Sequence, residues 1–316
     1  MKKWLLVPML GLCFLSANSQ VEETFFDHNW RETTPDKGRF FRHSRHSDSG
    51  WVVQDYYLPK KSLQMKGLYL DSAKKIMNGY FYFFYPNGQL SSAGVSKDGK
   101  KQGTWLSFHP NGFMSDSTVY DESGRPTGIS LQWHSNGYVS DSTSYTGFGA
   151  VQVSWFDNGN VSSAGRVDTA NHQIGKWQYF HRNGKLSASE VYDGGVPVSV
   201  NYFDEAGAPV ADTSGRNRDP QFAGGVAGWL KYLGNHLYWP ANYTLVNGDL
   251  AGVGVRFRVD EEGAVKDVFI TVPFDEAFND IVIRTIRNSP KWQPALSHNR
   301  RVAFQHRQIV NFQQQR

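Results

Sequence analysis

The chain has 316 residues, room for two or three domains at roughly 100–200 residues each. Charged side chains make up 20% and apolar ones 39%, which excludes both a disordered acidic tail and a helical membrane protein. The net charge of +4 halves once Lys2 and Lys3 are set aside, so it gives no electrostatic footprint for nucleic acid, and no nucleic-acid partner is expected. Aromatics reach 15% beside 31 glycines, a composition that suits short strands and tight turns.

The chain opens Met1-Lys2-Lys3, then runs apolar from Trp4 to Leu15 and ends in small residues with Ala17-x-Ser19. This is the layout of a secretory signal peptide over residues 1–19, with the mature chain beginning at Gln20. Twelve apolar residues cover about 18 Å as a helix, short of the roughly 30 Å hydrocarbon core. The alternative is an anchor in which residues 4–15 stay in the membrane. Cys13 is the one cysteine. The mature chain therefore has no thiol for nucleophilic catalysis, thiolate metal binding or a disulfide.

Residues 20–78 read as an amino-terminal segment holding a degenerate repeat at 52–67, where Lys60-Lys61 stands in for a turn pair. Five Asn-Gly pairs follow: Asn87-Gly88, Asn111-Gly112, Asn136-Gly137, Asn158-Gly159 and Asn183-Gly184, spaced by 24, 25, 22 and 25 residues. A weaker sixth copy carries Ala206-Gly207. Three residues before each turn sits an aromatic (Phe84, Phe108, Trp133, Trp155, Phe180, Phe203), and three after it an apolar residue (Leu90, Met114, Val139, Val161, Leu186). Each unit over 79–207 reads as an aromatic strand, an Asn-Gly turn and a more polar strand. Asn-Gly favours the two-residue type I′ turn. One hairpin cannot bury its aromatic face alone, so the units stack into an elongated meandering sheet. In its clearest copy, Gly103-x-Trp105-x-x-Phe108-x-x-Asn111-Gly112, the pattern resembles the MORN-type repeat in its bacterial YwqK-like form. That resemblance hints at toxin neutralisation. His109, His134 and His181 share one slot two residues before the turn Asn, and read as aromatic-like hairpin positions rather than metal ligands.

Residues 208–220 are polar, hold Pro209 and Pro220, and read as a linker. In 221–316 the period changes. Phe222, Val226, Trp229, Leu230, Leu233 and Leu237 fall at helical spacing up to Trp239-Pro240. Two strands follow, through Val253–Val259 alternation and Val265 to Ile270, about a turn at Asp260 to Gly263. A second helix is expected at 278–288 and a last strand at about 302–312. The fold class is a mainly β array of stacked hairpins followed by an α+β domain in the order α-β-β-α-β.

Several landmarks in this last region resemble the TonB C-terminal domain. They are Tyr238-Trp239-Pro240-Ala241, Val255-x-Phe257-x-Val259-Asp260-x-x-Gly263-x-Val265, Ser289-Pro290-Lys291-Trp292-x-Pro294-Ala295 and Val310-Asn311-Phe312. Trp239 stands where that family has Tyr, Ala223 where it often has Pro, and its helix-2 acidic signature is blurred. The resemblance implies capture of an extended peptide, such as the amino end of an outer-membrane transporter, by strand addition. It points to Val302, Phe304, His306, Gln308, Val310 and Phe312 as the binding edge.

The chain contains no Gly-x-Ser-x-Gly, P-loop, His-Glu-x-x-His or Gly-x-Gly-x-x-Gly motif. The reading is therefore an exported, non-enzymatic envelope protein of the periplasm or outer membrane in a Gram-negative-type envelope. It takes no cofactor and no metal, binds a peptide or protein, and uses its repeats as spacer or docking surface. The alternatives are a repeat protein that recognises envelope glycan or lipid, or an energy transducer if residues 4–15 stay in the membrane.

Overall fold

The computed structural model describes residues 21–212, 214–241, 243–245 and 250–314, so the expected signal segment 1–19 lies outside the described residues. The amino-terminal segment forms β1 (Val21–Phe26), β2 (Glu32–Thr33), β3 (Phe40–Ser47), β4 (Gly50–Tyr57) and β5 (Ser62–Tyr69). The repeats add β6 (Gly79–Phe84), β7 (Leu90–Lys97), β8 (Lys100–Phe108), β9 (Met114–Tyr120), β10 (Pro126–Trp133) and β11 (Val139–Thr146). They continue with β12 (Gly149–Trp155), β13 (Val161–Val167), β14 (Gln173–Phe180), β15 (Leu186–Asp193), β16 (Val196–Phe203) and β17 (Pro209–Val210). All seventeen belong to one sheet. From β3 to β17 each strand pairs antiparallel with the next, while β1 pairs with both β2 and β3. The expected ladder of stacked hairpins is what forms, and the degenerate copy at 52–67 is one of its hairpins.

The Asn-Gly turns differ from the expected type I′ geometry. In the first, Gly88 N–H donates to the Tyr85 carbonyl at 2.8 Å and Tyr85 N–H to the Gln89 carbonyl at 2.8 Å, enclosing three loop residues. Gly88 has a φ of 84°, whereas Asn87 keeps a negative φ, as do the other four turn asparagines. This is a type I turn closed by a left-handed glycine, the commonest three-residue hairpin loop. The asparagine stays right-handed because its Oδ1 accepts the N–H two residues on (Gln89 N–H, 3.1 Å). Pro86 and Pro110, just before the asparagine, also preset the φ that a type I turn needs. Type I′ geometry appears instead at the opposite end of the strands, where Asp98 and Gly99 have φ of 50° and 78°.

Neighbouring hairpins lock through aromatic rings laid over glycines. Trp177 on β14 covers Gly165 on β13, Trp105 covers Gly94, and Phe81 covers Gly67. A Cβ placed on Gly165 would sit 2.1 Å from the Trp177 ring. The indole nitrogens of Trp105 and Trp177 donate to the carbonyls of Val95 (2.7 Å) and Arg166 (2.9 Å), so the buried rings leave no donor unpaired. Two aromatic clusters result, one around Trp51, Phe81 and Trp105 and another around Trp177, Tyr179 and Tyr192.

The terminal region packs α1 (Gly225–His236) and α2 (Glu276–Arg287) against a three-stranded antiparallel sheet. Its strands are β18 (Leu250–Val259), β19 (Val265–Val272) and β22 (Phe304–Gln313), in the order β19-β18-β22. Val253, Val255, Phe257 and Val259 lie fully buried under the helices beside Phe278, Val282 and Ile286. Asp275 caps α2 by accepting the Ala277 N–H at 2.9 Å. Two expectations need correcting. A short hairpin, β20 (Ala295–Ser297) with β21 (Arg300–Val302), precedes the final strand, so Val302 belongs to that hairpin and not to β22. Val226 and Leu230, placed on the apolar helix face by spacing, are 77% and 61% exposed because the sheet is too narrow to cover that side of α1. The 208–220 segment is tied at both ends: Pro209–Val210 extends the large sheet, and Arg218 and Gln221 bridge to Leu296 and Gln293.

Replacing Gly165 by Ala should destabilise the array by about 1–3 kcal/mol, since the methyl must displace a ring that has no free space. Replacing Gly184, whose added Cβ meets nothing, costs only the strain of its left-handed φ, of order 1 kcal/mol. Urea unfolding of the two variants checks this order.

Candidate functional site: the free edge and the docked face of the terminal sheet

β22 pairs with β18 along its full length, from Val259↔Phe304 to Leu250↔Gln313, and among the described residues no strand pairs with its other side. It therefore presents a row of backbone donors and acceptors open to an incoming strand. Of the residues the sequence placed on this edge, Val310 and Phe312 point into the core, and Phe304, His306 and Gln308 face the same way but are half-buried. The Gln308 side chain accepts from Trp229 Nε1 at 3.1 Å, and the His306 ring stacks on Phe257 at 5.1 Å. Burial pushes the His306 pKa down. The alternating residues Gln305, Arg307, Ile309, Asn311 and Gln313 are exposed and lie on the opposite face of the sheet.

Beside the carboxy-terminal half of β22 runs a groove of about 820 Å³. Leu230 and Gly234 of α1, Tyr238 and Trp239 form one wall, and Ile309 to Gln314 the other. Leu230 and Tyr238, on the helix side of the groove, are 61% and 55% exposed, apolar surface alongside the unpaired edge. The spacing rule that puts Leu230 in the core misses this surface.

The opposite face of the sheet docks on the repeat array, through the row of turns. Two side chains per repeat organise that row. The turn asparagine donates its amide to the residue just before the next turn pair: Asn87 to Pro110 (3.0 Å), Asn111 to Ser135 (2.8 Å), Asn136 to Asp157 (2.9 Å), Asn158 to Arg182 (3.1 Å) and Asn183 to Glu205 (2.9 Å). Two residues earlier, Tyr85, His109, His134 and His181 reach the carbonyls of Phe108, Trp133, Trp155 and Phe203 at 2.7–2.9 Å. A carbonyl only accepts, so each histidine carries its proton on Nε2 and acts as a backbone clamp.

The residues whose carbonyls are held this way then contact the terminal domain. Ser135 bonds Asp267 (3.1 Å). Asp157 and Glu261 flank Arg182 at 2.5 Å and 3.5 Å, and Asp157 also faces Arg258 at 3.8 Å. Glu205 pairs with Arg301 at 3.0 Å, and at the far end Lys60 pairs with Glu276 at 3.1 Å. Those outermost contacts lie on the β16–β17 and β4–β5 turns, twelve strand steps apart, about 58 Å if the sheet were flat. A domain of this size has a radius of gyration of only about 12 Å. The sheet therefore curves, and the turns follow an arc around the terminal domain.

At one end of the arc the β20–β21 hairpin inserts its turn, His298-Asn299, into the array. His298 stacks on Tyr179 with ring centroids 3.7 Å apart, and its Nδ1 lies 2.9 Å from Glu190, which is 2% exposed. Tyr192 donates to the same carboxylate, and Arg300 sits over Tyr179 and against Ser162 (3.2 Å). Burial lowers the Arg300 pKa to about 10. Burial alone would push the Glu190 pKa up, but the hydrogen bonds from His298 and Tyr192 outweigh it and hold it below the ordinary carboxylate value. The polar groups of this cluster are thus taken up by one another.

The sequence pattern of the family described as MORN repeat variant matches residues 77–98 and 173–193. These are the β6–β7 and β14–β15 hairpins, so two of the array's units are similar to that repeat. No curated protein matches the chain.

Glu190 gives a pH test. Its depressed pKa means that its contribution is present above the ordinary carboxylate range and is lost as pH falls through the folded value. Glu190→Gln should cost about 1–3 kcal/mol at pH 7 and make the acid limb of the thermal-stability profile shallower than that of the unsubstituted protein. Melting temperatures measured from pH 7 down to about 3 check both.

Proposed function

We propose that this protein is an exported, non-enzymatic envelope protein whose terminal domain captures an extended peptide by strand addition to β22, while the repeat array holds that domain in place. The observation that carries the reading is the β22 edge, unpaired among the described residues, lying beside exposed Leu230 and Tyr238. Main-chain hydrogen bonds to the edge supply affinity for any extended segment, and a groove along it selects alternate side chains. The resemblance of the terminal region to the TonB C-terminal domain supports the same mode and suggests the amino-terminal segment of an outer-membrane transporter as partner. Export to the periplasm or outer membrane rests on the signal-like pattern of residues 1–19.

The absence of a catalytic role in this reading is supported by the saturated polar cluster at Glu190 and by the clamp role of the histidines. A partner strand would add to the outer side of β22, where Gln305 and Asn311 keep the ligand-free edge polar and discourage indiscriminate pairing.

Titrating the full chain with transporter amino-terminal peptides, followed by backbone NMR, should move resonances of residues 304–313 and of α1. Leu230→Lys, at an exposed position, should leave the fold intact and weaken binding about tenfold, matching the loss of one buried leucine contact. Shifts confined to the repeats, or none at millimolar peptide, would overturn the proposal.

A further inference from the structure

A second recognition site lies where the array-facing side of the terminal sheet meets the array near its first repeats. There a cleft of about 580 Å³ carries three cations, Lys101 from β8, Arg256 from β18 and Arg307 from β22, and no carboxylate among its lining residues. Trp105, Tyr85 and Phe269 form aromatic walls, and Ser91, Ser92 and Thr271 supply hydroxyls.

The placement of the two arginines costs stability. Arg256 and Arg307 are directly opposite in the β18–β22 register, a like-charge cross-strand pair, and such pairs are destabilising. Neither arginine has a carboxylate within ion-pair distance among the described residues, and the buried Nε of Arg256 has no hydrogen-bond partner. The guanidinium of Arg256 rests on the Phe269 ring at 4.5 Å, which fixes it without neutralising it. Burial first, and Arg307 in addition, push its pKa down.

The acidic groups that act on these cations are engaged elsewhere. Asp267 is held by Arg258 at 2.9 Å and by Ser135, while Asp116 accepts from Thr118 at 3.2 Å. Lys101 lies over the rings of Trp105 and Tyr120 at 4.6 Å and 5.2 Å. Two opposed, unneutralised guanidiniums with a spare buried donor form a fork suited to an oxyanion, and the aromatic walls suit a ring attached to it.

We propose that this cleft binds a small organic anion, a ring compound bearing a phosphate or a carboxylate, with Arg256 and Arg307 gripping the oxyanion and Lys101 closing the charge balance. It differs in place from the peptide edge: Arg256 lies on the central strand, and Arg307, although on β22, lines the array-facing side of the sheet rather than its lateral edge.

Calorimetric titration of the full chain with glucose 6-phosphate, glucuronate and uncharged glucose tests this, and the first two arms distinguish phosphate from carboxylate as the recognised group. At least one anion should bind saturably, glucose should not, and Arg256→Gln and Arg307→Gln should each weaken that binding about tenfold or more. Arg307→Gln should also raise the melting temperature of the ligand-free protein by relieving the opposed charges. Absence of saturable binding by either anion, equal binding of glucose, or a ligand-free Arg307→Gln that melts lower would overturn the proposal.

Discussion

The structure depends on one recurring interaction, the hydrogen bond from a turn asparagine to the carbonyl just before the next turn pair. Asn87, Asn111, Asn136, Asn158 and Asn183 each make it, at 2.8–3.1 Å, across 21 to 24 residues of chain. A β-ladder alone fixes neighbouring strands along their length but leaves the loop tips free to splay. By tying tip to tip, the asparagine amides convert separate hairpin ends into a continuous ribbon, reinforced by the Tyr85, His109, His134 and His181 clamps one step inside it. The two ends of the asparagine amide divide the work, Oδ1 holding its own loop while Nδ2 holds the next. Aspartate would keep the first bond and lose the second.

A ribbon of fixed tips can serve as a surface. The residues whose carbonyls accept these bonds, Ser135, Asp157, Arg182 and Glu205, turn their own side chains toward the terminal domain, so the backbone of each tip supports the array and its side chain supports the dock. Sequence variation at that one slot is therefore what gives each repeat a different contact while the scaffold stays constant, the arrangement expected where repeats share a core and diverge on one face. The dock uses the outer face of the β19-β18-β22 sheet and the helices cover its inner face, so among the described residues the lateral edge of β22 is the part left unengaged.

Much of this is legible in the sequence, and what escapes it does so for identifiable reasons. The Asn-Gly period marks five of the hairpins, because left-handed φ at Gly88 and its equivalents is a local demand that the sequence must meet locally. The dipeptide points to type I′ because it does not show that Asn87 is already committed through both ends of its amide. The glycines of the Ser-Ser-Ala-Gly echoes, Gly94 and Gly165, take their meaning from the rings of Trp105 and Trp177 on the next strand, which strand-by-strand reading does not pair with them. Helical spacing identifies α1 but cannot tell that its Val226 and Leu230 side goes uncovered, since that depends on the width of the sheet beneath it. The His298 turn and the whole dock are invisible, because nothing near residue 298 encodes Glu190, 108 residues away.

Two of the places where this molecule leaves its own rules unsatisfied bear on recognition. In the array, the buried Glu190 carboxylate receives both His298 and Tyr192, and the indoles over glycine find carbonyls. Against that background, an exposed leucine beside an unpaired strand and an arginine opposed to another arginine are departures that folding alone gives no reason to keep. Sequences that fold uniquely reconcile local and global demands, and unreconciled sites are where a ligand completes what the chain does not. Both departures fall on the terminal sheet, one at its edge and one on its docked face, and both depend on the array's arc to hold that sheet still. In the proposed reading, the ribbon around this small sheet presents both surfaces and keeps them apart from each other.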